Sequence, residues 1–232
     1  MLTILNWNLE WKTAKSRSGR EIVRMIGNAN PDIACLTEAY DQILEPTSWQ
    51  SICPDGDSGY PTKEGRRKVM LGSKSPWTET VTDLDTALTG RFVSGLTDSS
   101  IGPVRVHGVC VPWSHAHVSS GRRDRKAWED HITFLSALMA HDGLVDPVHP
   151  TILVGDFNQT LPPKRAPEEA RNLLLALLDR FDLAPPMNIE NRTVCHTLVS
   201  RGLLVTQRYE LPASVDGLRL SDHQGHIHQI VG

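Results

Sequence analysis

Short runs of apolar, mostly β-branched residues recur along the whole chain, and they constrain the fold more than any other feature. Eight of these runs have the length of a strand and are bounded by turn-forming or polar residues. They lie at residues 3–9, 32–37, 67–73, 91–96, 104–111, 151–155, 193–200 and 226–231. Because the middle of the chain is mostly strand, strands and helices do not alternate strictly, and a purely parallel doubly wound sheet fits poorly.

Helical periodicity occurs in three segments between these runs. The first has Ser18 and Glu21 at capping-box spacing, then an apolar stripe at Ile22, Met25, Ile26 and Ala29, and it should end before Pro31. The second covers about residues 124–140 and the third about 167–179. Eight or more strands and three helices predict a four-layered α/β/β/α sandwich, in which two packed mixed β-sheets are flanked by helices.

Length and composition indicate one soluble globular domain over residues 1–232, with 39% hydrophobic and 22% charged residues. No run of apolar residues is long enough to span a membrane, so no membrane association is expected. The first residues lack the basic start and cleavage site of a secretory signal, so we expect a cytoplasmic protein. The four cysteines, Cys35, Cys53, Cys110 and Cys195, are widely spaced, which favours reduced thiols over a disulfide framework or a CxxC metal site.

The charge balance argues against tight, nonspecific binding to nucleic acid. The net charge is −3 and the isoelectric point is near 6.4, whereas such proteins are usually strongly basic. Two basic clusters, at residues 66–68 and 122–126, could each contact one anionic group. Solvated surface is the alternative interpretation of both, because surface Lys and Arg need no further function.

Polar residues collect where several of the predicted strands end. They are Asn6 and Asn8, Glu38, Asp156 and Asn158, and Ser221, Asp222 and His223. Each is ordinary alone, since Gly, Asp and Asn favour turns and an amide in a strand is usually hydrogen-bonded. The Ser-Asp-His triplet lies in one loop and cannot be a serine-protease triad. The repetition is informative, because four strand ends each deliver an oxygen or nitrogen ligand of the type that Mg²⁺ accepts.

Four short motifs give the chain a resemblance to the endonuclease/exonuclease/phosphatase superfamily, whose fold is shared by DNase I and exonuclease III. They are N-W-N-L at 6–9, L-T-E at 36–38, G-D-F-N at 155–158 and S-D-H at 221–223. Their order and spacing over nearly the whole chain also match. The resemblance implies a DNase I-like fold with the site at one end of two stacked sheets. It also implies a Mg²⁺-dependent phosphoesterase, with Mn²⁺ as a substitute for Mg²⁺.

The resemblance also implies roles for individual residues. Glu38 would be the direct Mg²⁺ ligand, with Asn8 supporting it. Asp156 would orient or deprotonate the attacking water, while Asn158 would donate a hydrogen bond to a phosphate oxygen. His223 would contact the scissile phosphate. Asp222, the remaining member of the set, would help with the metal or position its neighbour. The division of labour between Asp156 and His223 stays open.

Two positions depart from the family pattern. Cys110 stands where relatives often carry a phosphate-contacting His or Tyr, and Cys195 stands where relatives carry an Asp that supports the catalytic His. Because a thiol does not supply a fixed carboxylate, this change should lower the basicity of His223 and the rate. Compensation could come from His115, His117 or Asp216, and candidates for phosphate contact are His115, His117, His196 and Arg122.

Two classes of function remain open from the sequence. The first is a hydrolase of a phosphodiester, acting on nucleic acid or on a small ester, with Trp7, Trp11 and Trp113 as candidates for stacking on a base. The second is a non-catalytic module that binds phosphate or nucleic acid and retains only the fold. The joint presence of the polar residues favours the enzyme, because a drifting site would be expected to lose such costly groups. The substrate depends on loops such as 45–66 and 112–126.

Overall fold

Two six-stranded β-sheets pack face to face and carry helices on their outer faces. The computed structural model describes residues 1–56, 59–61, 63–163, 165–184 and 193–232. The helices in these ranges are α1 (Arg17–Ala29), α2 (Glu129–Ala140) and α3 (Glu168–Leu178), with one 3₁₀ turn at Asp142–Leu144. The strands are β1 (Leu2–Asn8), β2 (Ile33–Tyr40), β3 (Gln50–Ile52), β4 (Arg66–Ser73), β5 (Trp77–Val81), β6 (Phe92–Ser99), β7 (Gly102–Cys110), β8 (Thr151–Asp156), β9 (Asp182–Leu183), β10 (Cys195–Val199), β11 (Leu204–Leu211), β12 (Ser214–Val215), β13 (Leu218–Arg219) and β14 (Gly225–Val231).

Each large sheet is mixed, with one parallel pair at its centre. The first sheet has the order β11-β14-β1-β2-β4-β3, and the second has the order β5-β6-β7-β8-β10-β9. The pairs β1–β2 and β7–β8 are parallel, while the neighbouring strands in both sheets run antiparallel. The central strands of each sheet therefore bring their carboxyl ends to the same edge of that sheet.

Apolar side chains fill three layers between the elements. The layer between the sheets contains inward-facing residues of both, such as Ile4 and Val154. A second layer joins the first sheet to α1, and a third joins the second sheet to α2 and α3. The predicted four-layered α/β/β/α sandwich with two mixed sheets is therefore confirmed. Across the described ranges, no helix is both long enough and apolar enough to cross a membrane.

The predicted start of α1 was wrong, although its end was predicted correctly. Ser16, rather than Ser18, accepts the capping hydrogen bond, from the backbone N–H of Gly19 at 2.9 Å. Ser18 instead donates its hydroxyl hydrogen bond to the carbonyl of Arg219. The helix ends at Ala29 because Asn30 takes a left-handed conformation ahead of Pro31.

The second helix begins five residues later than predicted. Residues 124–128 form the end of a loop, and α2 starts at Glu129, after Trp128 has adopted a positive φ of 71°. Several strands were also absent from the prediction, among them β5 and β11 at the sheet edges. Edge strands need only one partner and expose much of their side-chain surface, so polar residues interrupt the apolar run that identifies a buried strand.

Gly155 is required by the close pairing of β7 and β8. It lies opposite Val109 with φ of +147°, and a Cβ at this position would stand 2.0 Å from the Val109 carbonyl oxygen. Gly155→Ala should therefore lower the free energy of unfolding by roughly 2–4 kcal/mol, from backbone strain and overpacking. The matched control is Gly27→Ala in α1, where nothing lies within 4 Å of the added Cβ. Urea denaturation should show no loss for the control, and an equally stable Gly155→Ala variant would contradict this account.

Buried histidines should make the fold sensitive to acid. Burial lowers the pKa of several histidines, to about 3 for His107, His226 and His228 and to about 4 for His131 and His196. These rings stay neutral when folded but become protonated when unfolded, so their contribution to stability is complete above the unfolded pKa near 6.5 and is lost as the pH falls below it. At full effect one such group costs about 1.4 kcal/mol per pH unit.

We therefore expect the free energy of unfolding to fall steeply between pH 6.5 and pH 5 in urea titrations at stepped pH. His107→Phe, which keeps an aromatic ring beside Phe92, should reduce the slope by up to about 1.4 kcal/mol per pH unit. Stability that stays constant down to pH 4.5 would show that these rings are protonated in the folded protein.

Candidate active site

Two amide side chains of β1 join the two sheets at the edge where the central strands end. The Nδ2 atom of Asn8 donates a hydrogen bond to Oδ2 of Asp156 at 2.9 Å, and both residues are buried. Two residues earlier in β1, Nδ2 of Asn6 donates hydrogen bonds to the carbonyls of Gly155 at 3.1 Å and His196 at 2.9 Å. These contacts connect β1 of the first sheet to β8 and β10 of the second, so the site is built across the sandwich.

Asp156 is a carboxylate held in an interior position. Its side chain is almost fully buried, and its second oxygen, Oδ1, accepts a hydrogen bond from the backbone N–H of Asn158 at 2.9 Å. Burial raises the pKa of Asp156, while the neighbouring His223 and the hydrogen bonds from Asn158 and Asn8 oppose that rise. The two hydrogen-bond donors fix the orientation of this carboxylate, and its burial makes it a better proton acceptor.

His223 lies in a loop that is tied to β1 through its backbone. Its N–H donates to Oγ of Ser221 at 3.1 Å, and its carbonyl accepts a hydrogen bond from the indole of Trp7 at 3.0 Å. Ser221 donates its hydroxyl to the carbonyl of Asn8 at 2.6 Å. Because β1 also carries the amide that holds Asp156, one strand sets the positions of both side chains.

The ring of His223 has one nitrogen in the interior and one toward the surface. Nδ1 lies 3.1 Å from the Sγ atom of Cys195, and Nε2 lies 3.8 Å from Oδ1 of the exposed Asp222. Cys195 therefore lies on the inner side of the ring, so the group that contacts Nδ1 there is a thiol. Asp216, the carboxylate considered as compensation for Cys195, is exposed at the turn between β12 and β13. The inner nitrogen of His223 contacts Cys195 instead.

Three of the four cysteines surround Asp156. In the strand registers both Cys110 of β7 and Cys195 of β10 lie opposite Asp156. The third, Cys35, reaches the same region from β2, and its thiol donates to the carbonyl of Val154 at 3.5 Å. Burial raises the pKa of all three thiols, and the charge of Asp156 acts in the same direction. Cys35 was missed in the sequence because it comes from the other sheet.

Glu38 adjoins the site from the first sheet, because it follows Thr37, the β2 residue paired with Asn8. It lies in β2 with φ of 47°, a backbone conformation that is uncommon for a residue with a side chain and is frequent at functional sites. Its Oε1 accepts a hydrogen bond from Nζ of Lys68 at 3.0 Å. Lys68 and Arg66 also lie over the ring of Trp11, at 4.9 and 4.7 Å. The basic cluster at 66–68 thus borders the site instead of being only solvated surface.

The donor set fits a hard divalent cation. Glu38 contributes one partly exposed carboxylate, and Asn8 adds an amide oxygen that accepts from the backbone N–H of Glu10 at 2.9 Å. Mg²⁺ in proteins typically binds one or two carboxylates and retains several waters, so a sparse oxygen set of this kind is suitable. The charge of Glu38 also helps to raise the pKa of Asp156, which places the two carboxylates within electrostatic range of each other.

Two of the candidate phosphate-binding histidines are buried and bonded within the protein. His117 is fully buried, pairs with Asp130 through Nδ1, and packs against the ring of Tyr60 at 4.4 Å. His196 has its Nε2 at 2.7 Å from the carbonyl of Gln159. Neither ring presents a donor to a substrate.

The other two candidates lie in the loop between β7 and α2. Arg122 forms ion pairs with Asp124 at 3.3 Å and Asp130 at 3.5 Å, so its charge is already partly compensated. His115 is exposed and lies beside the exposed ring of Trp113, with ring centroids 5.5 Å apart. Of the three tryptophans considered for stacking, Trp7 is fully buried in the core and has no exposed face, which excludes it.

Comparison with protein-family models found one match that spans nearly the whole chain. The model described as the Endonuclease/Exonuclease/phosphatase family matches residues 5–223. This range includes all the strand-end residues of the site. A search of curated proteins found no significant match.

Comparison with solved structures found many proteins of the same fold. An endonuclease/exonuclease/phosphatase from Beutenbergia cavernae is 16% identical, with a TM-score of 0.74 over 99% of this chain and 71% of that one. An AP endonuclease from Archaeoglobus fulgidus is 15% identical, with a TM-score of 0.70 over 99% of each chain. A 3′ phosphatase from Neisseria, solved with a product DNA hairpin, is 17% identical, with a TM-score of 0.70 over 100% of each chain. At these identities the comparison establishes the shared fold.

The hydrogen bond from Asn8 to Asp156 should contribute to stability in a pH-dependent way. Asn8→Ala removes a donor to a buried carboxylate, which should cost about 1.5–3 kcal/mol of unfolding free energy at neutral pH. Asp156 has a raised pKa, and losing the donor raises it further. The difference between variant and wild type is therefore complete above both pKa values and disappears as the carboxyl protonates at lower pH.

Urea denaturation of both proteins at matched pH values measures this difference. Asn28→Ala, at an exposed position of α1, is the control and should change little at any pH. A loss for Asn8→Ala that is independent of pH would mean that the amide acts through packing and not through the carboxylate.

Proposed function

Because the chain belongs to the endonuclease/exonuclease/phosphatase family, we propose that it is a Mg²⁺-dependent hydrolase that cleaves a phosphodiester by attack of water. Family membership supports hydrolysis of phosphate esters in general. Family membership alone does not specify the metal, the phosphodiester bond or the roles of individual residues. They are supported by the side chains gathered at the strand ends.

One observation carries the proposal: the side chains of Asn8 and Asp156 meet across the two sheets, and His223 lies within reach of the same carboxylate. Burying a carboxylate in this way costs free energy, and it persists in a stable fold only when donors compensate the charge. A chain that needed only the fold could replace Asp156 by an apolar residue. An oriented, buried carboxylate beside an imidazole is typical of sites that move protons.

The chain's own residues divide into groups that act on the water and groups that act on the phosphate. Asp156, held by Asn8 and by the backbone of Asn158, orients an attacking water and accepts its proton. His223, fixed through its backbone, presents Nε2 toward the surface and donates to the scissile phosphate. The side chain of Asn158 is oriented by a hydrogen bond to the carbonyl of Val111 at 2.8 Å, which leaves its second amide hydrogen for a phosphate oxygen.

A bound Mg²⁺, with Mn²⁺ as a substitute, would supply charge neutralisation for the phosphate oxygens and the leaving group. Glu38 would hold it, with Asn8 supporting and Asp222 as a further oxygen donor or as the partner of His223. Lys68 contacts the carboxylate of Glu38 and keeps its orientation. These assignments rest on the family resemblance, and the oxygen donors at the strand ends support them.

The surroundings of the site favour a short or flexible substrate. The net charge of −3 offers no broad basic face for a long duplex. Arg66 and Lys68 lie beside the half-buried ring of Trp11, and of these two cations Lys68 is paired with Glu38. This combination suits one phosphate with one stacked ring, as in a single strand or a small nucleotide ester. Localisation in the cytoplasm stays a prediction.

The test is hydrolysis of a generic aryl phosphodiester and of short single- and double-stranded DNA and RNA with Mg²⁺ or Mn²⁺. Asp156→Ala and His223→Ala should each lower kcat/KM by about 10²–10⁴-fold, the usual contribution of a positioned proton-transfer group. Asp98→Asn, at an exposed position of β6, is the matched control and should retain wild-type rates.

Turnover in both site variants equal to wild type would refute the assignment of these residues. Wild-type protein that binds phosphodiesters with an affinity that survives Asp156→Ala, and turns over none of them, would favour the alternative of a non-catalytic binding module. Circular dichroism of each variant separates loss of chemistry from loss of folding.

A further inference from the structure

The interior side of the proposed site carries donors of a different chemical class from the oxygen donors around Glu38. Within the described part of the chain, only one group of three or more His, Cys, Asp or Glu side chains has its ligand atoms within 4.8 Å of one another: Asp156, Cys195 and His223. The Sγ atom of Cys195 and Nδ1 of His223 are 3.1 Å apart. A thiol, an imidazole and a carboxylate therefore converge on one point.

The spacing of these atoms suits a small transition-metal ion. Zn²⁺ binds sulfur at about 2.3 Å, and imidazole nitrogen or carboxylate oxygen at about 2.0–2.2 Å, so two of its ligand atoms lie roughly 3–4 Å apart. The pair of Cys195 Sγ and His223 Nδ1, 3.1 Å apart, is at the short end of that range, and all three ligand atoms lie within 4.8 Å of one another. Small movements of the His223 ring and the Asp156 carboxylate would bring all three atoms into contact with one ion.

The rigidity of the surrounding strands favours such a site. Cys195 and Asp156 face each other in adjacent positions of β10 and β8, so their separation is set by the sheet. His223 is held by its backbone contacts to Ser221 and Trp7. Cys110 lies opposite Asp156 on the other side, in β7, and adds a second thiol to the same region. Preorganised ligands lose little conformational entropy on binding a metal.

The donor set also discriminates between metals. Mg²⁺ prefers oxygen ligands, whereas a thiolate and an imidazole favour softer ions such as Zn²⁺ and Co²⁺. In the absence of metal the buried thiol stays protonated and shares the interior with Asp156. On binding, the thiol proton would pass to solvent, a bond would form from Sγ to the metal, and the cation would compensate both negative charges.

We propose that Cys195, His223 and Asp156 form a binding site for a thiophilic divalent transition metal of the Zn²⁺ class, distinct in chemistry from the Mg²⁺ ligands around Glu38. Its consequence for activity rests on the proposed function: a metal held there occupies His223 and Asp156 together and stops hydrolysis. Cys195 thus makes the hydrolase sensitive to zinc, because it supplies a sulfur ligand. A carboxylate at position 195 would not supply one.

Titration of the purified, reduced protein with Co²⁺ tests the site without reference to activity. One equivalent should produce an intense thiolate-to-cobalt charge-transfer band in the near ultraviolet, which added Zn²⁺ should abolish. Cys195→Ser should lose the band while retaining the wild-type circular dichroism spectrum, and Cys195→Ala provides a second variant if the serine protein is unstable. His223→Ala should weaken Co²⁺ binding at least 10-fold.

Cys53→Ser is the matched control. Cys53 is half-exposed and its sulfur accepts a hydrogen bond from Nε of Arg67 at 3.2 Å, away from the converging ligands. This variant should keep the full cobalt band. Absence of the band in wild type, or an equal band in folded Cys195→Ser and wild type, would overturn the proposal.

A second arm separates this inference from the proposed function. Zn²⁺ added in the presence of excess Mg²⁺ should lower the wild-type rate of hydrolysis at least 10-fold, and the ratio of rates with and without Zn²⁺ should be closer to one in Cys195→Asp. A band that depends on Cys195, in a protein that hydrolyses no phosphodiester, would support the metal site and refute the hydrolase. Hydrolysis without any thiolate band would support the hydrolase and refute the metal site.

Discussion

The hydrogen bond between Asn8 and Asp156 is the interaction on which the site depends. It crosses from the first sheet to the second at the edge where β1 and β8 end, and it holds a carboxylate that is otherwise withdrawn from water. The backbone of the same strand fixes the loop of His223 through Ser221. A change in the packing of the two sheets would therefore move the proposed proton acceptor and the phosphate-binding group together.

The cost of this arrangement is electrostatic. Asp156 lies among three buried thiols, and burial raises the pKa of the carboxyl and of each thiol. Neutral thiols are less costly to bury than a second carboxylate would be, because two like charges in a low-dielectric interior repel each other strongly. A thiol at position 195 therefore costs less electrostatically than a carboxylate would there, and it changes the chemistry available to His223. A cation bound between Cys195 and His223 would compensate the negative charge of Asp156, which a neutral thiol does not.

Much of the architecture was predictable because buried strands have a clear pattern. Apolar runs such as residues 151–155 gave the central strands, and the end of α1 followed from Pro31. The start of α1 was not predictable in the same way, since Ser16 and Ser18 are both good caps and the contact of Ser18 with Arg219 comes from a distant part of the chain. Strands at the sheet edges were missed because their exposure permits polar residues.

The sequence by itself determined the two-sheet sandwich, the family and the identity of the polar residues at the strand ends. These follow from local periodicity and short motifs, which are properties of neighbouring residues. Only the tertiary structure decided which of these residues meet. It brought Cys35 beside Asp156, buried His117 and His196 among protein partners, and set Cys195 against His223. The physical reason is that strand register and sheet packing, which arise from contacts between residues far apart in the chain, fix the distances on which chemistry depends.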